Sequence, residues 1–213
     1  MLRVIRATLR VTGAWARPTV DCLRDVPPSP VPVVTRMPRE PLPATGSVTP
    51  SVRAAGPGDA AAIREVAIAA WWATYTGRIG QESIDRFVAA AYSPDRVARR
   101  IDRHDVLVAG PAADVGRVDA FAEVTLRDDH VQVLAIYTRP DARGRGLGTA
   151  LLHAIRGRHP GLDLAADVLV DNRLAEPFYA ARGFHPGELL TDEIAGEEIV
   201  ERRWWLRAAG ERR

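Results

Sequence analysis

Apolar residues recur along this chain with two different periods. After Asp59 the spacing is helical: Ile63, Val66, Ala67, Ala70 and Trp71 fall at i, i+3, i+4, i+7 and i+8, the stripe of an amphipathic helix. Asp59 is placed to cap that helix through its carboxylate. A second helix is expected near Ser83, with Ile84, Phe87, Val88 and Ala91 on one face. A third, short one follows Ser93-Pro94, since proline is tolerated in a first turn. Beyond Arg103 the pattern changes. VLVAG, RVDAFAEVTLR and VQVLAIYT are short, β-branched-rich runs broken by Gly, Pro and Asp, and they predict three consecutive antiparallel strands. VQVLAIYT is apolar on both faces, so it belongs at the sheet centre, covered on both sides.

The helical period returns with Leu147, Leu151, Leu152 and Ile155. LDLAADVLV then alternates at Leu162, Leu164, Ala166, Val168 and Val170, a strand. DNRLAEPFYAARGF predicts a helix ending at Gly183; its regular part begins near Glu176, because Pro177 must lie in the first turn. ELLTDEI and EEIVERRWWLR form a hairpin around Ala195-Gly196, and SVRAA supplies an opening strand. The order is strand, three helices, three strands, helix, strand, helix and two strands. That is a mixed α/β domain rather than an alternating doubly wound one.

Composition separates the first 48 residues from this pattern. Nine of the 16 prolines lie in residues 1–50, and proline removes backbone donors and blocks helix. A disordered Pro/Arg-rich leader is expected over 1–48, with Met37 as an alternative start, and an ordered domain over 49–213. All 29 basic residues are arginine. Residues 1–50 carry 7 Arg and 3 acids, and the rest 22 Arg and 24 acids. The basic excess therefore belongs to the leader, and a nucleic-acid partner is not expected. No apolar run approaches membrane-spanning length, no secretory apolar region opens the chain, and Cys22 is the single cysteine. These features predict a cytoplasmic protein without a disulfide framework, a metal site or a membrane partner.

One short stretch carries chemistry. Arg143-Gly144-Arg145-Gly146-Leu147-Gly148-Thr149 lies between a strand and a helix. A helix N-terminus offers free N–H groups and partial positive charge, and glycines let backbone approach a phosphate closely. Arg143 and Arg145 add charge-assisted donors. A dinucleotide fingerprint fails at Thr149, where a third glycine is required, although Asp167 lies at the distance of its acidic residue. A Walker loop needs the lysine this chain lacks.

This segment and DNRLAEPFYAARGFH together resemble the GNAT family of acetyl-CoA-dependent N-acetyltransferases. The phosphate loop of that family corresponds to Arg143, Gly144, Arg145, Gly146, Leu147 and Gly148. Its later signature corresponds to Asn172, Ala175, Phe178 and Tyr179, then Gly183-Phe184. The resemblance follows element order over about residues 51–207, and its motifs lie within 131–185. It implies a mostly antiparallel mixed sheet of 6–7 strands, flanked by helices and splayed between strands 4 and 5. It implies acetyl-CoA as cofactor, with pyrophosphate on the amides of Gly144 to Thr149. The pantetheine arm would pair with Ile136, Tyr137 and Thr138, and Asn172 would reach the cofactor. Tyr179 falls where many members place the tyrosine that protonates the departing thiolate. Homodimerisation through the last strands is common in that family.

The implied reaction is direct attack of a primary amine, on a small molecule or peptide, within a ternary complex. Cys22 lies in the leader, which argues against a cysteine intermediate. Glu123, set among apolar residues in FAEVT, is a candidate general base; His130, in a turn, is a weaker one. Trp72 and Tyr75 are candidates for an aromatic acceptor wall, and the hairpin acids Asp192, Glu193, Glu197 and Glu198 could attract a cationic amine. The alternative function is a catalytically silent acyl-CoA sensor or interaction module of the same fold.

Overall fold

Three helices cover one face of a seven-stranded sheet and two cover the other. The computed structural model describes residues 49–208. The leader assigned to 1–48, with its alternative start at Met37, lies outside the described residues. Strand β1 (Pro50–Ala54) leads through a 3-10 turn, Pro57–Asp59, into α1 (Ala60–Tyr75), α2 (Gln81–Ala91) and α3 (Pro94–Arg103). A meander follows: β2 (Asp105–Pro111), β3 (Ala120–Leu126) and β4 (His130–Thr138). Then come α4 (Leu147–Arg158), β5 (Asp163–Leu169), the short α5 (Ala175–Ala180), β6 (His185–Ile194) and β7 (Glu197–Leu206).

The sheet order is β1-β2-β3-β4-β5-β7-β6. Every neighbouring pair is antiparallel except β4 and β5, which α4 connects as a crossover. The stripes read from sequence become the two cores. On one face Leu147, Leu151, Leu152 and Ile155 of α4 join Tyr179 and Phe184 against Leu107, Ala122, Val131 and Leu164. On the other, Ile63, Val66, Ala67 and Trp71 of α1, with Ile84, Val88 and Val97, pack on Val106, Val108, Phe121 and Ala135. Each fully buried Leu or Ile contributes about 1.5–3 kcal/mol.

Two local details differ from the sequence expectation. Asp59 precedes α1, but its carboxylate turns backward. It takes a bidentate pair from Arg53 at 2.6 and 2.8 Å and the Gly56 N–H at 2.8 Å, so the free N–H groups of α1 are left to others. The strand expected from Arg117 begins only at Ala120, because Arg117 and Asp119 pair with each other at 2.9 Å before it.

The feature that positions the site is a gap. β4 pairs with β5 only from His130–Val133 to Asp163–Ala166. Opposite β3, the register shifts between Glu123 and Val124, so Leu134 is an extra, bulged residue that stands exposed. A bulge bends its strand and strengthens local twist. Beyond it, Ile136, Tyr137 and Thr138 stay paired to Ala122, Phe121 and Ala120 of β3 but have no partner on the β5 side.

Candidate active site

The glycine stretch meets the upper end of this gap. Gly144 and Gly146 take φ of 78° and 81°, left-handed values that disfavour any other residue. Two such turns let the chain leave β4 and enter α4 directly. Gly148 has a different reason. A side chain there would meet Phe178 Cε2 at 3.0 Å, so its bareness lets α4 and α5 pack. The first bond closing α4 runs from Ala150 N–H to Gly146 C=O at 2.9 Å. The N–H groups of Leu147, Gly148 and Thr149 therefore precede the helical ladder and remain free for a ligand. Three guanidinium groups surround this turn. Arg143 donates to Thr74 Oγ1 at 3.1 Å and Arg145 to Asp141 C=O at 2.9 Å. Arg182 donates to Thr149 Oγ1 from Nε at 3.1 Å and lies over the Phe178 ring at 3.8 Å. Burial lowers the Arg182 pKa.

Deeper in the gap, tyrosines converge from three elements. Tyr179 of α5 is buried, and burial, followed by Tyr75 and Asp167, pushes its phenol well above the ordinary range. No hydrogen bond contributes to that shift, so the hydroxyl is unclaimed by the described residues. Tyr75, at the end of α1, is pushed up to about 12 by burial and then by Glu201, with the nearby Asn172 side chain opposing. Its ring is half-buried against Trp71, with centroids 4.4 Å apart, while its hydroxyl end is enclosed. Tyr137 of β4 is likewise pushed up by burial. Asn172 Oδ1 accepts from Leu174 N–H and Ala175 N–H, both at 3.1 Å. It caps the entrance to α5 while its side chain faces Tyr75.

Below the gap lies a cleft of about 350 Å³ on the face carrying α1 to α3. Those helices pack on β2 to β4; the cluster they form includes no residue of β5 or β7, so this part of the sheet face is left open and polar. Gln132 of β4 donates to Asp167 of β5 at 3.2 Å. Asp167 is held bidentately by Arg203 of β7 at 2.7 and 2.8 Å. Glu201, two residues before Arg203, lines the same cleft with Asp192. Its carboxyl is pushed up to about 7 by burial and then by Asp167 and Asp192, with Arg203 opposing. A carboxylate that titrates near neutrality is suited to exchanging a proton.

The structure brings together Ile136, Tyr137, Thr138, Asn172, Tyr179 and Tyr75 around the gap. It does not bring Glu123 there. Glu123 is buried as its apolar neighbours predict, but its carboxylate is engaged by His104 Nδ1 at 2.6 Å and Arg100 at 3.4 Å. Its surroundings are Ile63, Tyr92 and Val97, under α3. Trp72 is half-buried against the core of α1 to α3. His130 is not solvated: it opens β4, bonds Asp129 at 2.6 Å and packs edge-on to Trp205. Of the hairpin acids, Asp192 faces the cleft, Glu197 accepts from Gly80 N–H at 3.2 Å, and Glu193 and Glu198 are exposed. Sequence reasoning missed Glu201, Gln132 and Arg127. The available signal was polarity at alternate positions of strands that are otherwise apolar or paired.

The sequence matches the acetyltransferase (GNAT) family over residues 67–184, more than half of the 213-residue chain. The chain belongs to this family. Its structure is similar to that of the GCN5-related N-acetyltransferase (aminotransferase, class-II) of Rhodopseudomonas palustris. The two are 27% identical, with 75% of this chain and 96% of that one covered and a TM-score of 0.63. It is also similar to the PaiA N-acetyltransferase of Thermoplasma acidophilum, solved in complex with coenzyme A, at 21% identity, 72% and 98% coverage and a TM-score of 0.62. YncA of Salmonella typhimurium, solved with its cofactor acetyl-CoA, is 22% identical, with 78% and 97% covered and a TM-score of 0.54. No match is found among curated proteins. The mixed seven-stranded sheet with one parallel pair is the GNAT fold. Among the described residues, no helix is long and apolar enough to cross a membrane.

Proposed function

We propose that the chain is an acetyl-CoA-dependent N-acetyltransferase that transfers to a primary amine by direct attack. One observation carries this reading: a phosphate-sized cradle, an unpaired strand edge, a free phenol and a near-neutral carboxyl meet at one gap in the sheet. The residues fit the cofactor. The free N–H groups of Leu147, Gly148 and Thr149, with Arg143 and Arg145, suit a pyrophosphate. The unpaired edge of Ile136, Tyr137 and Thr138 suits an amide-bearing arm that pairs like a strand. When bound, acetyl-CoA supplies an acyl group activated as a thioester.

The chain's own residues supply the proton chemistry. Glu201 takes a proton from the acceptor ammonium and leaves a neutral, nucleophilic amine. Backbone N–H groups along the open β4 edge are donors for charge developing on a carbonyl oxygen. Tyr179 keeps its proton at any working pH, since burial raises its pKa, and its unclaimed hydroxyl is the donor to a departing thiolate. Asn172 and Tyr75 line the gap beside Glu201. The domain is taken as residues 49–213.

The test is free-thiol release from acetyl-CoA with a panel of amines, for wild type and Tyr179→Phe. Turnover with at least one amine is expected, with kcat reduced roughly 10²- to 10⁴-fold in the variant and coenzyme A affinity kept. Coenzyme A binding with no turnover on any amine would instead support the silent sensor.

A further inference from the structure

The cleft below the gap has two chemically different ends. At the upper end Glu201 and Asp192 gather negative charge beside Tyr75. In the middle Asp167 and Arg203 neutralise each other, and the bulged Leu134 presents an exposed apolar surface. At the lower end, in the β3–β4 turn, are Arg127 and His130. Arg203 is committed to Asp167 and Glu188, and His130 to Asp129. The half-buried Arg127 is paired with no acid among the described residues, although its backbone is fixed by an N–H bond to His130 C=O at 2.8 Å.

We propose that the acceptor is an elongated zwitterion, with its amine at Glu201 and an anionic group, such as a carboxylate, at Arg127. This rests on the reading of the cleft as the acceptor side of a transferase. Register sets the length. Glu201 lies opposite Leu169 and His130 opposite Asp163, so six residue steps along β5 separate the two ends, about 20 Å at strand rise; Arg127 follows β3, which lies three strand spacings across the sheet from β7. Both side chains line one cleft of about 350 Å³, a volume that suits a chain of several methylenes. Leu134 and the neutralised pair suit such a chain, which carries no charge of its own. A guanidinium with unshared donors is matched by a carboxylate in forked geometry. A diamine would place its second cation against Arg127, and a plain alkylamine would leave the guanidinium unanswered.

The full chain, saturated with coenzyme A, is titrated calorimetrically with ε-aminocaproate, hexylamine and cadaverine. The amino acid is expected to bind about tenfold or more tightly than either amine, the size of one charge-assisted hydrogen bond. Arg127→Gln removes that preference and leaves coenzyme A affinity unchanged, which also reports an intact fold. Equal binding of the three compounds, no binding of any, or an unchanged preference in Arg127→Gln overturns the proposal. Thiol release from acetyl-CoA, measured on separate samples without added coenzyme A and with the same three compounds, separates it from the transferase reading. Preferred binding of the amino acid without turnover sinks the transferase and leaves the zwitterion site. Turnover of all three amines with equal efficiency does the reverse.

Discussion

Glu201 links stability to protonation at a single side chain. It sits half-buried on β7 with Asp167 and Asp192 close by, and its carboxyl is pushed up to about 7. The folded state therefore holds the proton more tightly than the unfolded chain, where the group titrates in the ordinary glutamate range. Stability is greatest with the proton on, and it falls as pH rises from that range through about 7. Glu201→Gln cannot ionise, so its stability stays level across the same window. At pH 8 it exceeds wild type by on the order of 2 kcal/mol, checked by chemical denaturation at pH 5 and pH 8. Activity runs the other way. Wild-type kcat/KM rises with pH and levels above about 7, and the variant loses roughly 10²- to 10⁴-fold. A purely structural Glu201 would show the stability change with no change in the pH–rate profile.

At the level of elements, the start of α4 joins local sequence to function. Gly146 has φ of 81°, so any side chain there strains the backbone by roughly 1 kcal/mol. Gly146→Ala carries that strain alone, while Gly146→Glu adds a negative charge beside the free N–H groups. Calorimetry should show coenzyme A affinity reduced only modestly in the first and abolished in the second, with circular dichroism unchanged in both. Equal affinity in both variants would remove the pyrophosphate from this turn. This element was legible in the sequence because its glycines, arginines and apolar stripe are contiguous. So were α1, whose stripe of Ile63, Val66, Ala67, Ala70 and Trp71 is buried as spaced, and the hairpin, whose turn places Ala195 and Gly196 at positive φ. What failed was partnership over distance. Glu123 reads as a lone carboxylate in an apolar strand, yet Arg100 and His104, about twenty residues earlier, reach it from the end of α3. Glu201 reads as one more charge in a hairpin, yet β7 inserts between β5 and β6 and sets it beside Asp167. Periodicity reports which face a residue takes, not which strand becomes its neighbour.

At the scale of the whole molecule, the two halves of the sheet are covered differently on the face that carries the cleft. Helices α1 to α3 pack over β2, β3 and β4, while β5 and β7 contribute nothing to that core. The uncovered part of the face is where the cleft lies, so the cleft exists because helix coverage stops. Two contacts tie the β6–β7 hairpin to the helices: Ile194 packs on their core, and Gly80 N–H, in the turn between α1 and α2, donates to Glu197 Oε1 at 3.2 Å and Oε2 at 3.4 Å. The Gly80–Glu197 bond ties the end of that hairpin, which also carries Asp192 and leads into Glu201, to the helical layer that carries Tyr75. An exposed backbone-to-carboxylate bond contributes only about 0.5–1.5 kcal/mol, so its loss leaves the fold standing. Its effect falls on geometry. Glu197→Ala leaves Ile194 packed on the helices but removes the polar tie and loosens Glu201 relative to Tyr75, whereas the cradle at α4 lies on other elements. The expected result is a KM for the acceptor raised about 3- to 10-fold, the size of that bond, with coenzyme A affinity unchanged. Amide exchange at Gly80 should quicken in parallel. A rise in the coenzyme A dissociation constant, with acceptor KM unchanged, would mean that the hairpin supports the cofactor side instead, and that the two sides of the gap are not mechanically separate.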